Sequence, residues 1–260
     1  MIEYGFTVQD LEYFLLVFVR IASFFFSAPF FSTRNVPRRT KVVIAFAISL
    51  MLFRFVLIRS VIVYNTIIGF AILILKEAAC GLCIGLAGYL ALYIMQHAGS
   101  LIDMDIGLAM AQMFDPLNNM NMGFSGMIYQ YAFLLIMTGL NLHHNILRTF
   151  ISSYESIPIG NITFHAESLT NLIIRYVTTA FMTAFQIFLP VFAGMLLLNV
   201  VLGTLAKVAP QMNMFVIGVQ LKIFVGFGIL FIMTNFLSYF ADLLYGLIDE
   251  MMTSMIASFV

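Results

Sequence analysis

Residues Leu205 to Lys222 read LAKVAPQMNMFVIGVQLK, a compact polar break between two of the longest apolar runs in the chain. Pro210 has no N–H and would clash with the carbonyl of Ala206, so a helix arriving through Leu196 to Leu205 is expected to end or kink there. Lys207 falls in the last turn of that helix, where the negative end of the helix dipole favours a cation. Gln211 and Asn213 then offer amides to backbone groups left unpaired at the turn. The stretch predicts a helical hairpin with a polar tip, and the rest of the chain supplies more of the same.

Of the 260 residues, 62% are hydrophobic and 9% charged, with a mean hydropathy of +1.04, far from the near-half apolar, quarter-charged mix of soluble domains. The composition predicts an all-α membrane protein. Six apolar segments can be drawn: Leu11 to Phe31, Val42 to Ile58, Ile67 to Gln96, Phe124 to Leu140, Leu172 to Leu202 and Met214 to Leu247. Most reach the roughly 17 to 25 residues that a spanning helix needs. With no inserted soluble domain and no internal repeat, residues 1–260 are expected to form one polytopic domain. Net charge is zero, so no global field draws the chain to nucleic acid. Glu3, Asp10 and Glu12 precede the first apolar run, where a cleaved signal needs cations, so the chain is expected to be retained whole. The connection Ser32 to Lys41 carries Arg34, Arg38, Arg39 and Lys41 with no acid, which predicts a cytoplasmic turn and both termini outside.

Charges inside the apolar segments disturb this picture: Arg20, Arg54, Lys76, Glu77, Arg175 and Lys222. Each costs on the order of 2.5 to 3.5 kcal/mol at a bilayer centre on the insertion scale. Arg54 and Arg175 lie near segment ends and can snorkel to water. Lys76 and Glu77 point about 100° apart on one helix and cannot pair with each other. Arg20, Lys76, Glu77 and Lys222 are therefore expected to be buried against protein and paired between helices. Gly81, Gly85 and Gly88 form a glycine face that lets another helix come close.

Met110 to Phe124 reads MAQMFDPLNNMNMGF. Asp115-Pro116 favours a turn, Asn118, Asn119 and Asn121 resist helix, and Gly123 can take positive φ, so a loop is expected. Met110, Met113, Phe114, Leu117, Met120 and Met122 set flexible apolar side chains among the amides, able to fill an irregular gap and repack. Such a loop at membrane depth must line a protein-walled cavity. The plain alternative is a surface connection whose methionines fill the core.

Other chemistry is thin. No phosphate loop, H-E-x-x-H or nucleophile elbow is present. Cys80-Gly81-Leu82-Cys83 lies in an apolar helical run with no second pair, and its thiols read as small packing residues. Asn161-Ile162-Thr163 fits the N-x-S/T glycosylation pattern. His143 and His144 are expected on different sides of a helix, and Asp103, Asp105 and Asp115 in helix-start or turn-capping roles rather than as paired carboxylates. Neither catalysis, a cofactor nor a metal is expected.

Ala209-Pro210-Gln211-Met212-Asn213, with Phe215-Val216-Ile217-Gly218 and Leu221-Lys222, resembles the signature of the FliR family of type III export-gate proteins; Val219 and Gln220 depart from the aromatic residue and proline often found there. Arg20, Pro29, Val36-Pro37 and Lys41 are similar to the family's first hairpin. Gly99, Asp103, Gly107, Ala111 and Asp115-Pro116 are similar to its central segment, and Ile157-Pro158-Ile159-Gly160 to its Leu-Pro-x-Gly turn. The resemblance implies helical hairpins built with FliP and FliQ subunits into the flagellar export gate of the inner membrane, with FlhB and FlhA nearby. It also implies that unfolded flagellar proteins pass through, and that the loop holding Met110 to Met122 is a channel plug. The tip at Lys207, Pro210, Gln211 and Asn213 would dock a cytoplasmic-side partner, FlhB first. The equivalent injectisome subunit is more distantly similar. A stand-alone secondary transporter or channel, with Lys76, Glu77 and Lys222 as its polar path, is the reading from another class.

Overall fold

A computed structural model of the chain describes residues 7–29, 36–55, 62, 64, 66–110, 123–211 and 213–260. Regular structure among them is entirely helical, in the order α1 (Val8–Ser27), α2 (Arg38–Phe55), α3 (Ile67–Ile106), α4 (Phe124–Gly139), α5 (Leu142–Ser156), α6 (Ala166–Val208), α7 (Met214–Met233) and α8 (Leu237–Ala257). Among the described residues three candidate spans are long and apolar enough to cross a membrane: Ile67–Ile106, Ala166–Val208 and Val216–Ala257. α3 and α6, of 40 and 43 residues, run to about 60 Å or more at 1.5 Å per residue, twice the thickness of a bilayer core.

The helix starts and stops follow local chemistry. Thr7 caps α1 in a reciprocal box: its hydroxyl accepts the Asp10 N–H at 3.3 Å while the Asp10 carboxylate accepts the Thr7 N–H at 3.0 Å. Pro190 sits inside α6 without ending it, at the cost of the N–H that would have bonded Gln186. The sixth apolar segment is not one helix. Thr234 Oγ1 bonds the Phe231 carbonyl at 2.7 Å and Asn235 Nδ2 the Ile232 carbonyl at 3.1 Å. These side chains compete for carbonyls of the last turn of α7, and a 3-10 turn, Thr234–Phe236, separates it from α8. α5 was not among the expected segments because it is too polar to span; its buried face repeats at helical spacing through Ile146, Phe150, Ser153 and Tyr154.

The chain divides into two compact units. In the unit of residues 1–90, 141–176 and 246–260, α1 is buried along Tyr13, Leu16, Val17, Arg20, Ile21, Phe24 and Phe25. α2 lies on α1 through edge-to-face rings, Phe14 against Phe46 and Phe53 with centroids 5.6 and 5.7 Å apart. Phe24 stacks on Phe150 of α5 at 3.9 Å. In the unit of residues 91–140 and 177–245, α4 crosses the end of α3, and α7 meets α3 where a Cβ on Gly226 would lie 2.6 Å from Ile106 Cδ1.

Candidate functional site

Four groups of residues were singled out by the sequence, and the structure places them in different surroundings. The buried charges come first. Arg20 of α1 and Glu77 of α3 are both wholly inaccessible, and Arg20 Nε donates to Glu77 Oε2 at 2.5 Å. Arg20 Nη1 donates to the Ile157 carbonyl at 3.0 Å, and Glu77 Oε1 accepts the Gly160 N–H at 2.9 Å. The turn Ile157-Pro158-Ile159-Gly160 therefore offers an acceptor to the cation and a donor to the anion. It makes this bend with Gly160 at φ +87°, a conformation that glycine adopts without a Cβ penalty. Tyr154 completes the pocket, its ring 4.5 Å from the guanidinium carbon and its hydroxyl donating to the Val17 carbonyl at 3.3 Å. Burial holds that phenol protonated well above its ordinary range. The sequence reading missed this network because its members lie up to 137 residues apart.

The other two charges differ from expectation. Lys76 is half-buried and donates to the Ile162 carbonyl at 3.2 Å rather than to a carboxylate; that carbonyl lies two residues beyond Gly160, whose N–H Glu77 holds. Lys222 is half-buried too and attracts Asp105 electrostatically. Among the charges read as snorkelling, Arg175 is exposed and bonds Glu250 at 2.6 Å.

Gly81, Gly85 and Gly88 lie against α1 and the two residues that follow it. A Cβ on Gly81 would overlap the Arg20 carbonyl oxygen and Ser23 Oγ; on Gly85 it would lie 2.9 Å from the Phe24 carbonyl oxygen, and on Gly88 2.9 Å from Pro29 Cδ. Ser27 Oγ reaches the Leu82 carbonyl at 3.2 Å across this contact. The glycine row is thus what brings the α1 and α3 backbones close enough for the Arg20–Glu77 pair.

Of the loop residues, Met110 is described: it is half exposed and its N–H bonds the Gly107 carbonyl at 3.2 Å. Met113, Phe114, Asp115, Pro116, Leu117, Asn118, Asn119, Met120 and Met122 lie outside the described residues. The two ends of the segment are held together. Asp103 of α3 accepts the Ser125 N–H at 3.2 Å and the Ser125 hydroxyl at 2.5 Å, so it caps α4 from a neighbouring helix. One turn earlier Gly99 faces Gly126, where a Cβ on Gly126 would lie 3.0 Å from the Gln96 carbonyl, and Gln96 Nε2 bonds Gln130 Oε1 at 2.8 Å. Gly107 leaves α3 at φ +93°. Gly123 itself has φ −62°, so its role is not positive φ: a Cβ there would run into the Asp103 carboxylate.

At the hairpin tip α6 ends at Val208, and Ala209 N–H closes it on the Leu205 carbonyl at 2.9 Å. Lys207, Pro210, Gln211 and Asn213 are all exposed, and the Asn213 carbonyl accepts the first bond of α7, from Ile217 N–H at 3.2 Å. His143 and His144 correct an expectation: placed on different sides of a helix by their spacing, they bring their rings to 4.1 Å at the start of α5. No cluster of three or more His, Cys, Asp or Glu that could hold a metal occurs among the described residues.

Comparison with known proteins fits this arrangement. Residues 11–248 match the family described as "Bacterial export proteins, family 1". The chain is 32% identical to the flagellar biosynthetic protein FliR of Bacillus subtilis (strain 168) over 94% of both chains. It is 30% identical to that of Aquifex aeolicus (strain VF5) over 83% of both, and 25% identical to that of Escherichia coli (strain K12) over 92% of this chain and 90% of the other. Matches spread over nearly the whole length, with the Arg20–Glu77 pair, the Gly row and the hairpin tip all inside them, mean that the chain belongs to the bacterial export proteins, family 1, as a member of the FliR family.

Proposed function

We propose that this component of the flagellar type III protein export gate works mechanically, as one wall of the path for unfolded flagellar subunits and as its movable closure. On this reading residues 1–260 act as one polytopic domain of the bacterial inner membrane. The chain packs with FliP and FliQ subunits, meets FlhB at the tip around Gln211 and Asn213 with FlhA nearby, and carries out no reaction of its own. The observation that carries the closure is the pinned base of the Met110–Phe124 segment: Asp103 holds Ser125, and Gly99 sits on Gly126. Two apolar helices held this way present whatever lies between them from a fixed point, and methionine-rich sequence there can close around a passing chain and against ions.

Glu77 speaks against the transporter reading, because both of its oxygens are engaged, by Arg20 and by Gly160, and it is closed to water. The test deletes Asn118 to Met122. Membranes holding the whole assembled gate should then leak small ions, and membranes holding this chain alone should not. An assembled deletion variant that stays ion-tight and still exports removes the closure.

A further inference from the structure

The sixty-four residues from Tyr13 to Lys76 contain eight Arg or Lys and no Asp or Glu. Arg20 is paired with Glu77 from beyond that stretch, but Arg38 and Arg39 have no such partner: both are exposed at the start of α2, with no carboxylate bonded to either among the described residues. They also stand at the positive end of the helix dipole, where cations are disfavoured and an anion is welcome. Below them an apolar stripe runs outward along α2, with Val43 66%, Leu50 46% and Met51 63% exposed and Phe46, 47% exposed, at its edge against Phe14 and Phe18 of α1, while Ala45, Ser49 and Leu52 turn inward. From Val42 to Met51 the helix rises about 14 Å, close to the roughly 15 Å depth of one leaflet's hydrocarbon. α2 itself is not among the candidate spans.

We propose that the outer face of α2 seats one anionic phospholipid, its phosphate bound by Arg38, Arg39 and the first free N–H groups of the helix, and its acyl chain lying along Val43, Phe46, Leu50 and Met51. The two arginines at one end of a leaflet-length apolar stripe match the two ends of such a lipid. An acidic protein surface would match the arginines but leave the stripe uncovered.

The test uses the purified full chain in nanodiscs of mixed phosphatidylglycerol and phosphatidylcholine, with retained lipid counted by native mass spectrometry after release. One phosphatidylglycerol per chain should be held in preference to phosphatidylcholine. Arg38→Gln with Arg39→Gln should weaken it about thirtyfold, roughly fivefold for each arginine at the membrane surface, and Val43→Ser with Leu50→Ser should weaken both lipids alike. Circular dichroism on the same samples shows whether each variant is folded; should the Gln pair not fold, Arg38→Lys with Arg39→Lys must keep the preference and Arg39→Gln alone must lose about fivefold. Equal retention of the two lipids by the unaltered chain, or undiminished phosphatidylglycerol on the folded Gln pair, overturns the proposal. So does a Gln pair that keeps its lipid but no longer co-purifies with its gate subunits, which would assign the arginines to an acidic protein partner.

Discussion

Replacing Glu77 by Ala tests whether the Arg20–Glu77 pair holds its unit together. The substitution leaves the Arg20 guanidinium buried with one carbonyl, that of Ile157 at 3.0 Å, and the face of Tyr154, and it strips the Gly160 N–H of its acceptor. Breaking one partner of a buried pair costs about 3 to 5 kcal/mol, because the survivor keeps its desolvation penalty and loses its counter-charge. Against a usual total of about 5 to 15 kcal/mol this is a large loss. Arg20→Ala should cost a similar amount. Removing both charges with apolar residues of like size, Arg20→Met with Glu77→Leu, should recover most of it, leaving about 1 to 3 kcal/mol for the stranded Gly160 N–H and Ile157 carbonyl. The assay is denaturant unfolding of the purified full chain in mild detergent, followed by circular dichroism, with Arg20→Met alone, Glu77→Leu alone and the two together forming a cycle. A coupling energy below about 0.5 kcal/mol would refute the reasoning, since the charges would then contribute independently of each other.

The glycine row gives a matched comparison: Gly85→Leu, beside the Phe24 backbone, should destabilise by about 1 to 3 kcal/mol or more in the same unfolding assay, while Gly139→Leu, with open space around its Cβ, should fall within about 0.5 kcal/mol of the unaltered chain. Gln211→Ala with Asn213→Ala removes two exposed amides at the tip, so secretion of flagellar subunits should drop while assembled gate stays constant on blots; unchanged secretion would leave the tip a plain solvated turn. Tyr64 donates to Glu12 at 2.5 Å, and the carboxylate holds its phenol above the ordinary value because ionisation would remove the donor and set two anions together. The contact therefore supports the fold below about pH 10 and is lost as pH rises through the higher folded value. The absorbance titration difference between the chain and its Tyr64→Phe variant should move to lower pH when Glu12→Ala is added.

The sequence made the helices legible wherever apolar length set them. α1 and α4 lie close to their segments, and the Pro210 stop is where the missing N–H put it. α3 outran its segment by ten residues: Gly99 packs on Gly126, Ser100 bonds the Gln96 carbonyl of its own helix, and Asp103 finds its partner in Ser125 of α4. α5 was passed over because a search for spanning runs ignores a helix with one polar face, although the period of Ile146, Phe150 and Tyr154 was there to be read. The glycine face showed in spacing, a pattern common by chance in apolar helices, and the overlaps a Cβ would make with α1 give it its use. What Arg20 pairs with did not show: buried charge demands a partner, but nothing in local pattern names one 57 residues away. Lys76, adjacent to Glu77 and equally anomalous in sequence, needed only a carbonyl at its rim.

The turn at Ile157 to Gly160 also imposes an order on synthesis. Arg20 and Glu77 can meet once α3 is made, but the carbonyl and N–H that complete them belong to a segment the ribosome has not yet reached, 83 residues beyond Glu77. At about 5 to 20 residues per second that is a wait of roughly 4 to 17 s. For that interval the first hairpin and the start of α3 must be kept somewhere that tolerates half-solvated charges, at the insertion machinery or the membrane surface. Deep burial of the pair is therefore among the later events in the life of the nascent chain, and a truncation ending before Gly160 should be handled by the cell as an unfinished membrane protein.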